Sequence, residues 1–275
     1  MPDEYSANRR TARGVSYVDV GEGEVTLFVH GVFTNGRLWR NCFRLLADHR
    51  RCIAVDLPGH GHTPPIGEAS LWGLADAVGT VIEELDLHDI HLVGNDTGGA
   101  VAQVVLARDM ARFASVALTN CDTEGNFPPR MFKPAVWAAK ARLFRLAGPV
   151  SHLPLLAKQL YRTGYQRASE LPDDVVTDYT APILGNREAT RFMERLLASM
   201  EPDQLAEIRP QLSKCEVPTV LVWGTGDIFF GLDWAHKLQR LIPGATEVVE
   251  VPGGRLFYVD ERAAELVTAL ENHWK

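Results

Sequence analysis

No stretch of this chain approaches the roughly 20 consecutive apolar residues that a membrane-spanning helix needs, so no span is expected. Cysteine is scarce: Cys42, Cys52, Cys121 and Cys215 are scattered, and no two form a CxxC pair. Neither a zinc ligand set nor a disulfide framework is expected from such spacing. No basic run stands out, and 28 Lys and Arg against 35 Asp and Glu give a net charge of −7. That balance argues against nucleic acid or an anionic membrane as the main partner. The opening segment, Met1 to Gly14, is polar and mixed in charge and lacks the apolar core of a signal peptide. A cytoplasmic protein with free, packed thiols is the expectation. Internal repeats, low-complexity tracts, metal-ligand clusters and nucleotide-binding glycine loops are also missing, so no metal and no cofactor is expected.

What is present is an ordinary globular composition, 46% hydrophobic and 23% charged over 275 residues, enough to bury a sizeable core. Short apolar strands are expected at 24–30, 51–56, 89–94 and 113–120, with helices at 36–47, 71–85 and 98–108 between or after them. Such alternation implies a parallel sheet with helices on both faces. The pattern breaks near Thr123 and becomes helical only, punctuated by prolines, until about Lys214. It then resumes with strands at 217–223 and 246–251 and helices at 232–241 and 261–274. Two trailing strands are too few for a stable sheet of their own. The expected organisation is therefore one α/β core, 1–124 and 215–275, interrupted by a helical insertion, 125–214.

The strongest local signal is Gly94-Asn95-Asp96-Thr97-Gly98, which follows a buried strand and opens a helix. It is a G-x-D-x-G version of the G-x-S-x-G nucleophile elbow. The turn from strand to helix is tight enough to demand small flanking residues. It thrusts the central side chain out at the carboxyl edge of the sheet, where a helix N-terminus favours an anion. A plain strand–turn–helix with Asp96 as a helix cap is the simpler alternative.

Three further segments accompany the elbow in order: Phe28 to Asn41 with its His30-Gly31 pair, Asp56-Leu57-Pro58-Gly59-His60-Gly61, and Trp223-Gly224-Thr225-Gly226-Asp227. Together they resemble the haloalkane dehalogenase and epoxide hydrolase branch of the α/β-hydrolase superfamily over nearly the whole chain. The resemblance implies an α/β-hydrolase fold, a mostly parallel central sheet flanked by helices, with an inserted helical cap. It also implies Asp96 as nucleophile and the backbone N–H groups of Val32 and Thr97 as oxyanion hole. Asp227 would be the acid that orients a base, with an alternative acid position near Asn120 or Asp122.

The chain departs from that pattern where the family has its catalytic histidine, because Leu256 falls at the corresponding place. His60 or His152 is the least improbable substitute base, whereas His30 in this fold usually holds the turn beside the oxyanion hole. Dehalogenases carry Asn and Trp at the positions of Val32 and Thr97, and epoxide hydrolases carry proline at Phe33, so both activities fit imperfectly. Epoxide hydrolases open the ring with two cap tyrosines, and Tyr161, Tyr165 and Tyr179 lie in the insertion. His30, Phe33, Trp137 and Leu256 are expected at a largely apolar pocket between cap and sheet.

A carboxylate nucleophile needs no base for its own activation, since aspartate is ionised at neutral pH. Loss of the histidine strikes the second step instead, attack of water on the ester. The expected function is an enzyme acting on a small, apolar molecule through Asp96, by default hydrolysing a carbon–heteroatom bond in an epoxide, halide or ester. The alternatives are non-hydrolytic acid–base chemistry (an isomerase, lyase or cyclase) and a ligand-binding protein that has lost catalysis. A small-molecule substrate and a monomer or homodimer complete the expectation.

Overall fold

The computed structural model describes residues 7–148 and 153–275. Six apolar segments form the parallel part of its sheet: β3 (Val25–Val29), β4 (Arg51–Val55), β5 (Ile90–Asp96), β6 (Phe113–Cys121), β7 (Thr219–Gly224) and β8 (Ala245–Val251). They correspond to the six strands expected from the sequence. Two further strands, β1 (Arg9–Ala12) and β2 (Val15–Val20), extend the edge as an antiparallel pair. Their signal is weak for physical reasons. In β1 only Ala12 is buried. In β2 the buried Asp19 accepts two hydrogen bonds from Arg51, so its charge is paired rather than solvated.

The strand order is β1-β2-β4-β3-β5-β6-β7-β8, with β2 antiparallel to β4 and all later pairings parallel. The order reverses between β3 and β5. Chains leaving the carboxyl ends of these two strands diverge, and the crevice between them is where open α/β sheets place ligands.

The helices of the first half are α1 (Arg40–Leu46), α2 (Leu71–Glu84) and α3 (Thr97–Arg108). In α2 the Ser70 side chain caps the N-terminus by accepting from the Gly73 N–H, and Leu71, Leu74, Val78 and Val81 are buried at helical spacing. Between β6 and β7 the described chain runs through α4 (Lys133–Lys140), α5 (Pro154–Tyr161), α6 (Asp173–Leu184), α7 (Arg187–Ala198) and the single turn α8 (Arg209–Leu212). The helices α9 (Leu232–Leu241), α10 (Tyr258–Glu261) and α11 (Ala263–His273) follow. No helix among the described residues is long and apolar enough to cross a membrane.

Ion pairs bind the inserted helices to the core. Arg37 bonds to Asp174 and Asp178 of α6. Arg40 pairs with the buried Asp260 at 2.7 Å and donates to the Tyr179 hydroxyl, while the Tyr165 hydroxyl donates to the same carboxylate. Breaking a buried pair of this kind leaves an uncompensated charge, so the network fixes the insertion over the sheet.

The turn from β5 into α3 is the tightest part of the fold. Asp96 adopts φ 56°, uncommon for any residue but glycine. A Cβ on Gly98 would lie well inside van der Waals contact with the carbonyl oxygens of Val29 and His30, both backbone atoms. Gly98→Ala is therefore expected to cost roughly 3 kcal/mol, at the upper end for single substitutions. A fall in the urea midpoint at unchanged slope would show it; an unchanged midpoint would mean that β3 yields.

Candidate active site

Asp96 ends β5, every residue of which is buried, and stands at the N-terminus of α3. The backbone N–H groups of Thr97 and Val32 hydrogen-bond its carboxylate. Its Oδ2 packs so closely on Gly31 that no side chain fits there. The two amides expected to form an oxyanion hole thus already hold an oxygen, that of Asp96 itself. Burial pushes the Asp96 pKa well above the ordinary carboxylate value, and the like charge of Asp122 adds to it, while the amides pull the other way.

Asp122 follows β6 directly, is 1% exposed, and lines the same cavity as Asp96. Its N–H donates to the Asp96 carbonyl at 3.4 Å, which ties the two segments together. Its Oδ1 has no hydrogen-bond partner, and burial pushes its pKa up to about 8 against a hydrogen bond from Thr97. Two neighbouring carboxyls in a dry site cannot both ionise near neutrality, so the pair keeps a shared proton. Two amides and a helix N-terminus favour the charge on Asp96. The shared proton is drawn toward Asp122, although burial raises the Asp96 carboxyl as well.

Asp227 lies behind this pair. It accepts from the Asn120 side-chain amide at 3.0 Å and from the Phe229 N–H at 2.8 Å, and burial still pushes it up to about 7. It does not line the cavity. Asn120 also bonds the Gly224 backbone in both directions, so it locks the ends of β6 and β7 together around Asp227.

Above the two front carboxyls is a cavity of about 430 Å³. Its walls include Phe33, Phe132, Phe144, Phe229 and Leu256, with Val32 and Thr97 at the floor. The rings of Phe132 and Phe144 stand 6.1 and 5.8 Å from Phe33. Tyr161 and Tyr179 also belong to the lining, and their rings are 5.6 Å apart. The Tyr161 hydroxyl donates to the Phe33 carbonyl at 2.7 Å, and the Tyr179 hydroxyl accepts from Arg40 at 3.3 Å. Among the described residues, no cluster of His, Cys, Asp and Glu is placed to hold a metal ion.

Several expected site residues lie elsewhere. Trp137 is 66% exposed and off the cavity wall, because α4 buries Val136 and Ala139 and turns Trp137 outward. His30 is fully buried beneath the floor and is not a pocket residue. Its Nε2 accepts from the Leu57 N–H at 3.0 Å and its Nδ1–H donates to the Gly31 carbonyl at 2.7 Å, which holds the two loops together. Burial pushes its pKa down to about 4, so it stays neutral. His60 packs 5.3 Å from that ring, away from the cavity, and burial pushes it down to about 3. A base must reach the proton it removes, and the structure does not bring His60 there. His152 lies outside the described residues. No histidine among the described residues lines the cavity.

The model of the alpha/beta hydrolase fold family matches residues 25–262. The chain belongs to that family. Over 82% of its length this α/β hydrolase is 27% identical to a 2-hydroxy-6-oxononadienedioate/2-hydroxy-6-oxononatrienedioate hydrolase of Cupriavidus pinatubonensis, covering 79% of that protein. It is 28% identical to a 2-hydroxy-6-oxo-6-phenylhexa-2,4-dienoate hydrolase of Burkholderia cepacia, with 82% of this chain and 79% of that one aligned. A solved α/β-hydrolase-fold protein from Burkholderia ambifaria superposes with a TM-score of 0.82 at 21% identity, over 96% of both chains. Membership is thus shown at the level of the superfamily, which is broader than the dehalogenase and epoxide hydrolase branch suggested by the motifs.

The raised Asp122 pKa has a stability consequence with a definite sign. Between the ordinary carboxylate value and about 8, the folded state keeps a proton that the unfolded state releases, so stability falls as pH rises through that window. In Asp122→Asn this slope should flatten by about one proton, roughly 1.4 kcal/mol per pH unit. Urea unfolding at several pH values between 4.5 and 7.5 measures it, and an unaltered slope would mean that Asp122 titrates normally.

Proposed function

We propose that this α/β hydrolase acts on a small, largely apolar organic molecule through Asp96, hydrolysing a carbon–heteroatom bond. The observation that carries the reading is the Asp96 carboxylate held by the Val32 and Thr97 amides at the floor of an apolar cavity. With those amides engaged, the carbonyl oxygen of an acyl substrate has no hole to enter. Attack on a saturated carbon asks nothing more of them, because the amide-bound oxygen becomes the carbonyl oxygen of the new ester.

Of the substrates considered, an epoxide fits best. Its leaving oxygen needs a proton, which Asp122 carries, whereas a halide needs a binding pair that Val32 and Thr97 cannot supply. In the first step the free Asp96 oxygen forms a bond to the ring carbon, the carbon–oxygen bond breaks, and the Asp122 proton passes to the released alkoxide. In the second step the Asp122 carboxylate takes a proton from water as that water attacks the ester carbonyl. The tetrahedral species then expels the product alkoxide, which takes the remaining proton of the added hydroxyl and leaves as the diol, so Asp96 returns as carboxylate with Asp122 reprotonated.

A second reading is favoured by the lack of a histidine on the described cavity wall. Asp96 and Asp122 then move one proton between two positions of the substrate, with no ester, as an isomerase, lyase or cyclase would.

Incubation with epoxides, haloalkanes and activated esters, followed by intact mass, separates the two. With an epoxide, Asp122→Asn should slow adduct formation itself, because it removes the proton donor, and any adduct that does form should persist for want of the base; Asp96→Asn should lower kcat/KM by about 10⁴-fold or more. A single turnover in H₂¹⁸O should leave ¹⁸O in the Asp96 side chain. Turnover without that label moves the assignment to proton transfer, and turnover surviving in Asp96→Asn sinks both readings. Adduct formation should also slow above about pH 8, where Asp122 loses its proton.

A further inference from the structure

The chain-wide balance of charge hides a sharp asymmetry. Between 125 and 169 stand eight Lys and Arg and no Asp or Glu, which leaves 20 basic residues elsewhere to face all 35 acidic ones. Four of the eight have acidic partners in the fold: Lys140, Arg145, Lys158 and Arg167. Among the described residues, Arg130, Lys133, Arg142 and Arg162 have none.

The same segment carries most of the exposed large apolar side chains of the described protein. Trp137, Leu146 and Leu155 are 66%, 77% and 78% exposed. On α4, Lys133, Trp137 and Lys140 are spaced i, i+4, i+7, so they share one outward stripe while Val136 and Ala139 face the core. The patch continues to the cavity, because Met131 and Leu160 are 59% and 58% exposed and also line it.

We infer that this face of the insertion docks on an anionic lipid surface and presents the cavity mouth to it. Exposed Trp and Leu flanked by Lys and Arg is the composition that settles at the headgroup boundary, with apolar groups in the acyl region and cations among the phosphates. A second copy of the chain fits less well: a two-fold contact would set four cations without acidic partners, Arg130, Lys133, Arg142 and Arg162, against the same four. An apolar substrate would then reach Asp96 from the lipid without crossing water. The inference does not rest on the chemistry assigned to Asp96, since it is read from binding alone.

Sedimentation with vesicles of phosphatidylcholine alone, and with about 30% phosphatidylglycerol, tests it. The full chain should partition at least ten-fold more strongly onto the anionic vesicles, and 0.5 M NaCl should abolish the difference. Each unpaired cation contributes about five-fold near such a surface, so R130E/K133E should lower binding by well over ten-fold. Leu155→Ser and Trp137→Ala should weaken it with the charge intact, their circular dichroism unchanged. Equal binding to both vesicles, or binding that survives charge reversal, overturns the proposal. So does a dimer mass in light scattering that Trp137→Ala converts to monomer while vesicles stay unbound, since a second copy then covers the patch.

Discussion

The backbone of Asp96 sits at φ 56°, a conformation that costs of order 1–3 kcal/mol and persists only where its surroundings over-determine it. Those surroundings are β5, paired on both edges by β3 and β6, and α3, whose residues 97–106 are all buried. Gly94 and Gly98 let the end of β5, the start of α3 and the end of β3 pass within contact of one another, and Gly31 leaves room for the Asp96 side chain. His30 staples the loop after β3 to the loop after β4 directly beneath. The turn therefore places two amides and a helix N-terminus around one carboxylate. Those donors compensate in part for taking a charge out of water.

How far this was legible from sequence follows from what each residue answers to. The elbow reads clearly because every residue type in it is forced by close contact, and the six parallel strands read clearly as buried apolar runs. The edge strands β1 and β2 did not, since β1 is short, polar and mostly exposed, and in β2, though it is buried, Ser16 and Asp19 interrupt the apolar run. Phe33 and Leu256, two of the four residues read as pocket positions, line the cavity, as do Val32 and Thr97, which were read for their amides; each is adjacent in sequence to a motif or loop that the fold positions. Trp137 failed because an apolar residue in a short amphipathic helix can belong to either face. Its neighbours decide: Lys133 and Lys140 share its stripe, and Val136 and Ala139 lie opposite. Asp122 was visible only as an alternative acid position after β6. That it faces the cavity while Asp227 stands behind depends on Asn120 and on the ends of two strands far apart in sequence.

The tie between insertion and core was invisible for a related reason. Arg40 and Asp260 are separated by 220 positions, and Tyr165 and Tyr179 come from the insertion between them. Each alone reads as a surface cation, a surface anion or a packing aromatic. Only together do they make a buried network in which the Tyr179 ring is at once a cavity wall and a hydrogen-bond partner of Arg40. The shape of the cavity is thereby coupled to an ion pair that the substrate need never touch.

Removing the histidine from such a site does not remove the possibility of a base near neutrality; it moves the burden from residue type to burial. Imidazole titrates near pH 6.5 in water, whereas a carboxyl reaches that range only when water is kept away. Asp122, at about 8, has reached it. Phe33, Phe132, Phe144, Phe229 and Leu256 are then more than a substrate-shaped wall, because the dryness they maintain sets the proton affinity of the acid beneath them. A polar side chain introduced among them would lower that affinity while leaving Asp96 and its amides in place. In this arrangement the apolar cavity and the protonated carboxyl are one device, and a change in either is felt as a change in the other.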